Sequence, residues 1–302
     1  MEDIFYKHDI IQVVNEQNVD YNPQDKNIID ICIINNLFPN HLREHLRINL
    51  KHIKCPFYYN VFNIYYSEED SEEIRNICKE FNVSLIEFKI ENRFDYHVQI
   101  RIGNKLNYIY NDYVKKRGCK YYGMFHQDSY LVEDIDFIKQ LDEYPCFGRV
   151  FYGNRNEEFE FENIREKNLW YLWEGFCFLK TEYFPNYTWM PNYPYSYCYE
   201  KTYKWGATGV LAYYDNLYKF DENKCNFETL GYAKNKRERI NIRKTDMDLS
   251  NIIHPDWGKC VCEEIDHFGC FIHGNGTAYM RMELKEEIDK KQDIILSFLQ
   301  TL

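Results

Sequence analysis

Tyr121-Tyr122-Gly123-Met124-Phe125-His126-Gln127-Asp128-Ser129-Tyr130-Leu131-Val132 passes from an apolar run to three polar side chains and back again. Residues 120–125 read as a buried strand, and His126-Gln127-Asp128 as the polar turn at its end. A carboxylate at a strand end, projecting into a polar crevice, is a good hard-cation ligand. A cation there would bridge two phosphates and neutralise charge on a departing nucleoside diphosphate. The alternative is an aspartate that caps the next turn, since Ser129 and the acidic stretch 133–136 also suit a turn.

Upstream the sequence alternates. Residues 27–34 are a β-branched run that reads as a buried strand. Residues 41–53 carry Leu42, Leu46 and Leu50 at a helical period, and 59–66 read as a second strand. The stretch 71–81 is helical, opening on Ser71 with acidic residues in its first turn. A third strand is expected at 83–90, and a helix at 102–116 on Ile102, Leu106, Ile109, Tyr110 and Val114. Strands separated by helical stretches predict crossovers and a parallel sheet, with ligands beyond the carboxyl ends of the strands. That places Asn35 and Asn36, the acidic turn 67–70 and the 126–128 turn along one edge. Downstream the pattern loosens. Strands are expected at 145–152, 176–179 and 268–273, helices at 206–218 and 285–299, a Pro- and Tyr-rich loop at 185–200, and irregular chain over 233–262. No repeat or linker divides the sequence, so a single α/β domain of 302 residues is expected.

This order resembles the nucleotide-binding half of the GT-A glycosyltransferases, in a family-2-like arrangement. The residues that carry the resemblance are Gly103-Asn104-Lys105-Leu106-Asn107 on a helix and then His126-Gln127-Asp128, a His-Gln-Asp variant of the family's Asp-x-Asp motif. The resemblance covers 27–150 and implies a GT-A fold, a Rossmann-like mixed sheet flanked by helices. It makes 27–150 the donor half and 151–302 the acceptor half. It implies that Asp128 ligates Mn2+ or Mg2+, and that His126, standing where the family has its first aspartate and able to touch the metal or ribose, binds the nucleotide sugar together with Gln127. Glu68 and Asp70 would meet the nucleoside base or ribose, with Asn35 and Asn36 lining the same pocket. Arg101, Lys105 and Asn107 would face the donor. For each of these residues the alternative is a solvated turn or helix face.

In the second half, Trp170-Tyr171-Leu172-Trp173-Glu174-Gly175-Phe176 resembles the aromatic stretch that lines acceptors in this family. Aromatic faces stack on sugar C–H surfaces, and Glu174, between Trp173 and Gly175, is a candidate general base. The alternative is a core strand with a surface glutamate. Trp205-Gly206-Ala207 aligns with the place where many family members start a helix with an acid, but Ala207 is not one. Glu200 is then the second candidate base; a retaining reaction would need neither. His273, before Gly274-Asn275-Gly276, resembles a late metal-ligating histidine, and glycines there permit close backbone approach to phosphate. The run 234–244 holds six Lys/Arg against one Glu and suits a diphosphate or a solvated loop equally. Cys260, Cys262, Cys270 and His273 form an alternative zinc set with an unusual Cys-x-Cys spacing.

Composition narrows the partners. A formal charge of -11 disfavours nucleic acid. Eleven scattered cysteines point to a reducing compartment, and no secretory leader or apolar run of roughly 18 residues is seen, so a cytoplasmic protein without a transmembrane span is expected. The 28 Tyr and 21 Phe accompany many Asn, Ile and Lys, so they are ascribed to codon bias more than to function. The expected activity is transfer of a sugar from a UDP- or GDP-sugar to a carbohydrate or glycoprotein hydroxyl, or to a lipid-linked sugar. The alternatives are a non-catalytic glycan- or partner-binding protein on the same fold, and a nucleotidyltransferase. The latter is disfavoured because the turn after the first strand lacks a Gly- and basic-rich phosphate loop.

Overall fold

The computed structural model describes residues 10–20, 22, 27–35, 39–65, 67–91, 103, 105–131, 133–152, 170–185, 217–226, 238–241, 264–267, 271–273, 293, 296, 297 and 300. In chain order the elements are β1 (Ile10–Gln17), β2 (Ile29–Asn35), α1 (Pro39–His52), β3 (Phe57–Ile64), α2 (Glu68–Glu80) and β4 (Ser84–Glu91). Next come α3 (105–117), β5 (Tyr121–His126), β6 (Ser129–Leu131), α4 (Phe137–Glu143), β7 (Cys146–Tyr152) and β8 (Trp170–Lys180). β9 (Glu238–Asn241), β10 (Glu264–His267) and β11 (Phe271–His273) close the order.

Seven strands form one sheet in the order β1-β4-β3-β2-β5-β8-β7. β4, β3, β2 and β5 are parallel. β1 joins β4 antiparallel, as β8 does β5 and β7 does β8. The sheet is thus mixed, as the resemblance implies, and its parallel part is what the alternating first half predicts. A second sheet of four strands, β6-β11-β10-β9, is antiparallel.

Alternation along the strands sorts the core into two layers. Ile29, Ile31 and Ile33 of β2 and Tyr121 and Phe125 of β5 pack with α1, α2 and α4 through Leu42, Leu46, Ile74, Ile77, Phe137 and Leu141. Cys32, Tyr122 and Met124 pack on the other face with Leu106, Ile109, Tyr110 and Val114 of α3. The aromatic abundance has a structural use in the first layer. Phe137 and Phe178 stack at 4.0 Å between centroids, Phe147 and Phe178 at 5.0 Å, and Phe125 and Phe176 meet them edge-on. Each fully buried ring contributes roughly 1.5–3 kcal/mol from burial alone. Gly123 leaves room for this cluster, since a Cβ there would stand 2.6 Å from the Phe178 ring.

Several elements differ from expectation for local reasons. β1 was not anticipated, although its Ile10-Ile11-Gln12-Val13-Val14 run has strand composition. The supposed turn at 67–70 is largely the first turn of α2, because Ser67 O accepts from Ser71 N at 3.3 Å and three acidic residues suit a helix N-terminus. α3 is wound as a π-helix over Tyr108–Val114. β8 runs for 11 residues where a short strand at 176–179 was expected. β9 lies inside 233–262, where irregular chain is expected. Most of the expected 206–218 and 285–299 helices and the 185–200 loop lie outside the described residues. Among the described residues no helix is long and apolar enough to cross a membrane.

Candidate active site

β5 delivers its last residue, His126, to the carboxyl edge of the parallel strands, in register with Ile34 of β2. The chain then turns at Gln127 and Asp128 and enters β6. Both turn side chains are buried, Asp128 to 5% exposure. The turn is tied to β8, where Ser129 Oγ donates to Gly175 O at 3.1 Å.

β8 reaches this turn through an irregularity. Its pairing with β7 runs Gly148↔Cys177 and then resumes at Val150↔Leu172. Residues 173–176 of β8 therefore bulge opposite Arg149 alone. Bulges re-aim side chains beside functional sites, and this one carries Trp173 and Glu174. Two glycines permit it. A Cβ on Gly148 would stand 2.4 Å from Phe176 O, and one on Gly175 2.1 Å from the Trp173 indole. The indole lies between two cationic or basic groups, with the Arg149 guanidinium 4.8 Å over the ring and the His126 ring 4.9 Å away at a steep angle.

The bulge brings three predicted residues together. His126 Nδ1 is 3.9 Å from Asp128 Oδ1, and His126 Nε2 is 3.9 Å from Glu174 Oε1. Glu174 is 7% exposed, so it is not the surface glutamate of the alternative reading. A fourth predicted residue arrives by backbone pairing: β11 aligns His273 with Ser129, the residue after Asp128. Carboxylate and imidazole are donor types that divalent cations take. Among the described residues no group of three such side chains is placed to hold a metal ion by itself.

Two of the residues expected around the nucleoside, Asn35 and Glu68, are linked by a chain of hydrogen bonds. Asn35 Nδ2 donates to Asn63 Oδ1 at 2.8 Å, and Asn63 Nδ2 to Glu87 Oε1 at 3.4 Å. Arg75 Nε donates to Glu87 Oε2 at 2.6 Å, and its Nη1 pairs with Glu68. Asn35, Asn63 and Glu87 are fully buried, while Asn35 Oδ1 has no hydrogen-bond partner among the described residues. Arg75 and the Tyr65 hydroxyl hold the Glu68 carboxyl below its ordinary range. Glu68 is thus engaged by Arg75. Lys105 and Asn107 lie half-buried on α3. Asp70 is in α2. Asn36, Arg101, Glu200, Ala207 and the cysteines of the possible zinc set lie outside the described residues.

Sequence reasoning missed Arg149, Glu87, Arg75 and a polar face of α1. That face, His41, His45 and Asn49, was hidden by the leucines that gave the helix its period.

No protein-family model matches the chain, and none of the curated proteins matches it in sequence. Among solved structures it is similar to a mannosyltransferase from Pyrobaculum calidifontis in complex with GDP-Man and Mn2+, with a TM-score of 0.35 and 12% identity over 55% of this chain and 48% of that one. It is also similar to core-mannan synthase A from Aspergillus fumigatus in its Mn/GDP form, with a TM-score of 0.40 and 9% identity over 68% and 74% of the two chains. A mannosyltransferase from S. cerevisiae matches with a TM-score of 0.41 and 12% identity over 74% and 75%. The match spans about half of the Pyrobaculum enzyme's length, 48%. These are likenesses of fold.

Proposed function

We propose that the chain is a glycosyltransferase that moves a sugar from a UDP- or GDP-sugar to a hydroxyl acceptor, with Mn2+ or Mg2+ held at Asp128. One observation carries this reading: a buried aspartate at the carboxyl edge of a parallel sheet, with His126 and Glu174 around it. When bound, the cation would neutralise charge on the departing diphosphate. Asp128 supplies its carboxylate, and His273 is the candidate second protein ligand. Glu174 is the candidate base, taking the acceptor hydroxyl's proton as that oxygen attacks the anomeric carbon; Glu200 is the second candidate. The acceptor would be a carbohydrate or a glycoprotein; Trp173, 7% exposed beneath the Arg149 guanidinium, supports Glu174 from within the core and does not present a face to it. Asn35, Asn36, Glu68 and Asp70 are assigned to the nucleoside, and Arg101, Lys105 and Asn107 to the donor's diphosphate side.

A second reading is a non-catalytic glycan-binding protein on this fold. His126 in the place of a carboxylate favours it, because it leaves one acid at the motif. A thermal-shift screen of GDP, UDP and their sugars with manganese tests the main reading, using wild type and Asp128→Ala. Stabilisation of wild type alone, with slow release of sugar to water, is the expected result. Equal shifts in the two proteins would remove Asp128 from the site, and binding without any sugar release from any donor would leave the non-catalytic reading.

A further inference from the structure

α1 carries a polar stripe inside its buried face. His41, His45 and Asn49 follow one another at one-turn spacing, so they share one side of the helix. They are 1%, 0% and 0% exposed. Burying such groups is unfavourable unless each finds a partner, and these three find theirs on or beside the segment that bears Asp128.

Asn49 uses both halves of its amide. Nδ2 donates to Ser129 O at 3.0 Å, and Oδ1 accepts from Leu131 N at 2.6 Å. Backbone alternation puts Ser129 O and Leu131 N on one edge of β6, so the amide supplies the bonds a neighbouring strand would make and leaves the other edge to β11. His41 Nδ1 and the Tyr130 hydroxyl meet at 2.8 Å. His45 bonds the Tyr59 hydroxyl and lies against the backbone of Gln127 and Ser129. Burial keeps it neutral, with its pKa pushed down to about 3.

An apolar helix face would also cover β6, but it would leave Ser129 O and Leu131 N, on the edge away from β11, without the bonds that Asn49 gives them. A slip of one residue would turn every β6 side chain to the opposite face and carry Asp128 with it. Two bonds to fixed backbone atoms select one register. We propose that His41, His45 and Asn49 are positioning residues, a clamp that fixes segment 127–131 and thereby the place of Asp128. The second half of that statement rests on Asp128 being the metal ligand.

Hydrogen exchange on the metal-free protein tests the clamp, with the Leu131 amide compared against Ile31 in the core. Asn49→Leu keeps the volume and removes both bonds. Protection at Leu131 should fall about tenfold or more while that at Ile31 changes little. In Asn49→Asp the side chain still accepts from Leu131 N in either protonation state, and at roughly pH 5, where burial keeps the new carboxyl protonated, it can also donate to Ser129 O, so protection at Leu131 relative to Ile31 should exceed that in Asn49→Leu. If Asn49→Leu fails to fold, Asn49→Ala takes its place in this comparison. A side chain that merely fills space would leave Leu131 protected in the apolar variant and give Asn49→Asp no advantage over it; either result overturns the clamp. Manganese affinity, read by electron paramagnetic resonance, should weaken about tenfold in Asn49→Leu. Unchanged affinity there, alongside abolished binding in Asp128→Ala, overturns the link to Asp128. If wild type binds no manganese, the metal reading of Asp128 fails by itself, and exchange alone decides the clamp.

Discussion

Glu174 reaches His126 from the neighbouring strand: its Oε1 stands 3.9 Å from His126 Nε2 because the β8 bulge turns it toward the end of β5. On the proposed glycosyltransferase reading this carboxylate is the candidate base. Glu174→Gln preserves shape and removes basicity. Sugar transfer should fall about 10²–10⁴-fold in kcat, while manganese and nucleotide affinities stay near wild type. Steady-state transfer assays and calorimetry check this, and the same pair of measurements on Glu200→Gln discriminates the two candidate bases. A rate loss for Glu200→Gln alone would move the role away from the bulge.

The bulge itself depends on two glycines of unequal tolerance. A Cβ at Gly148 meets the Phe176 carbonyl, which is backbone in the same sheet and cannot step aside. A Cβ at Gly175 meets the outer atoms of the Trp173 ring, which can shift at the expense of its contact with Arg149. Gly148→Ala should therefore cost about 2–3 kcal/mol in urea unfolding and Gly175→Ala less. The Gly175→Ala signature should be a changed tryptophan emission, as the indole leaves the guanidinium. Equal costs with unchanged fluorescence would contradict this account of the bulge.

The elements from β2 to β5 were legible because apolar periods of two and of about four residues alternate there with polar breaks. Ile29-Asp30-Ile31-Cys32-Ile33 and Leu42, Leu46 and Leu50 each have a single reading. β8 was legible only at its end, because its outer residues are buried as well and no alternation marks where it starts. The bulge was not legible at all, since a register shift is a property of two strands and each strand alone gives no sign of it. Glu174 was nonetheless found, through the improbable company of an acid between Trp173 and Gly175. The clamp on α1 was missed for the converse reason: two histidines and an asparagine in a polar-looking helix carry no signal until Ser129 and Leu131 are seen beside them. The Asn35–Asn63–Glu87–Arg75 chain is similar, as only the parallel register of β2, β3 and β4 puts those residues side by side.

That chain yields a stability prediction. Glu87 is fully buried, and its oxygens take bonds from Asn15 at 2.7 Å, from Asn63 and from Arg75, which is the charged partner among these three. Arg75→Met would strand a buried carboxylate, and breaking such a pair costs about 3–5 kcal/mol, less here because Arg75 keeps 26% of its side chain in solvent. Adding Glu87→Gln to Arg75→Met removes the stranded charge and should recover part of the loss. A double-mutant cycle by urea unfolding measures the coupling; strictly additive single effects would show that the pair contributes no more than its separate packing.

His45 gives the protein a pH dependence with a defined sign. Its folded pKa is pushed down to about 3, first by burial, with the nearby Asp128 charge and the Gln127 and Ser129 backbone opposing only in part. Unfolded, a histidine titrates near about 6.5. Between those values the unfolded chain holds a proton that the folded one does not. Stability from this group is therefore intact above roughly pH 6.5 and falls as pH drops, by about 1.4 kcal/mol per unit, until the folded pKa is reached. Urea unfolding at roughly pH 7.5 and pH 5.5 should differ by about that amount from His45 alone. Other groups titrate in the same range, so the comparison that isolates it is His45→Gln, which keeps an amide but cannot take the proton. Its acid-side slope should be shallower than that of wild type by about 1 kcal/mol per pH unit. Parallel slopes would mean that the ring accepts a proton inside the fold, and the contacts given to it beside Gln127 would then have to be redrawn.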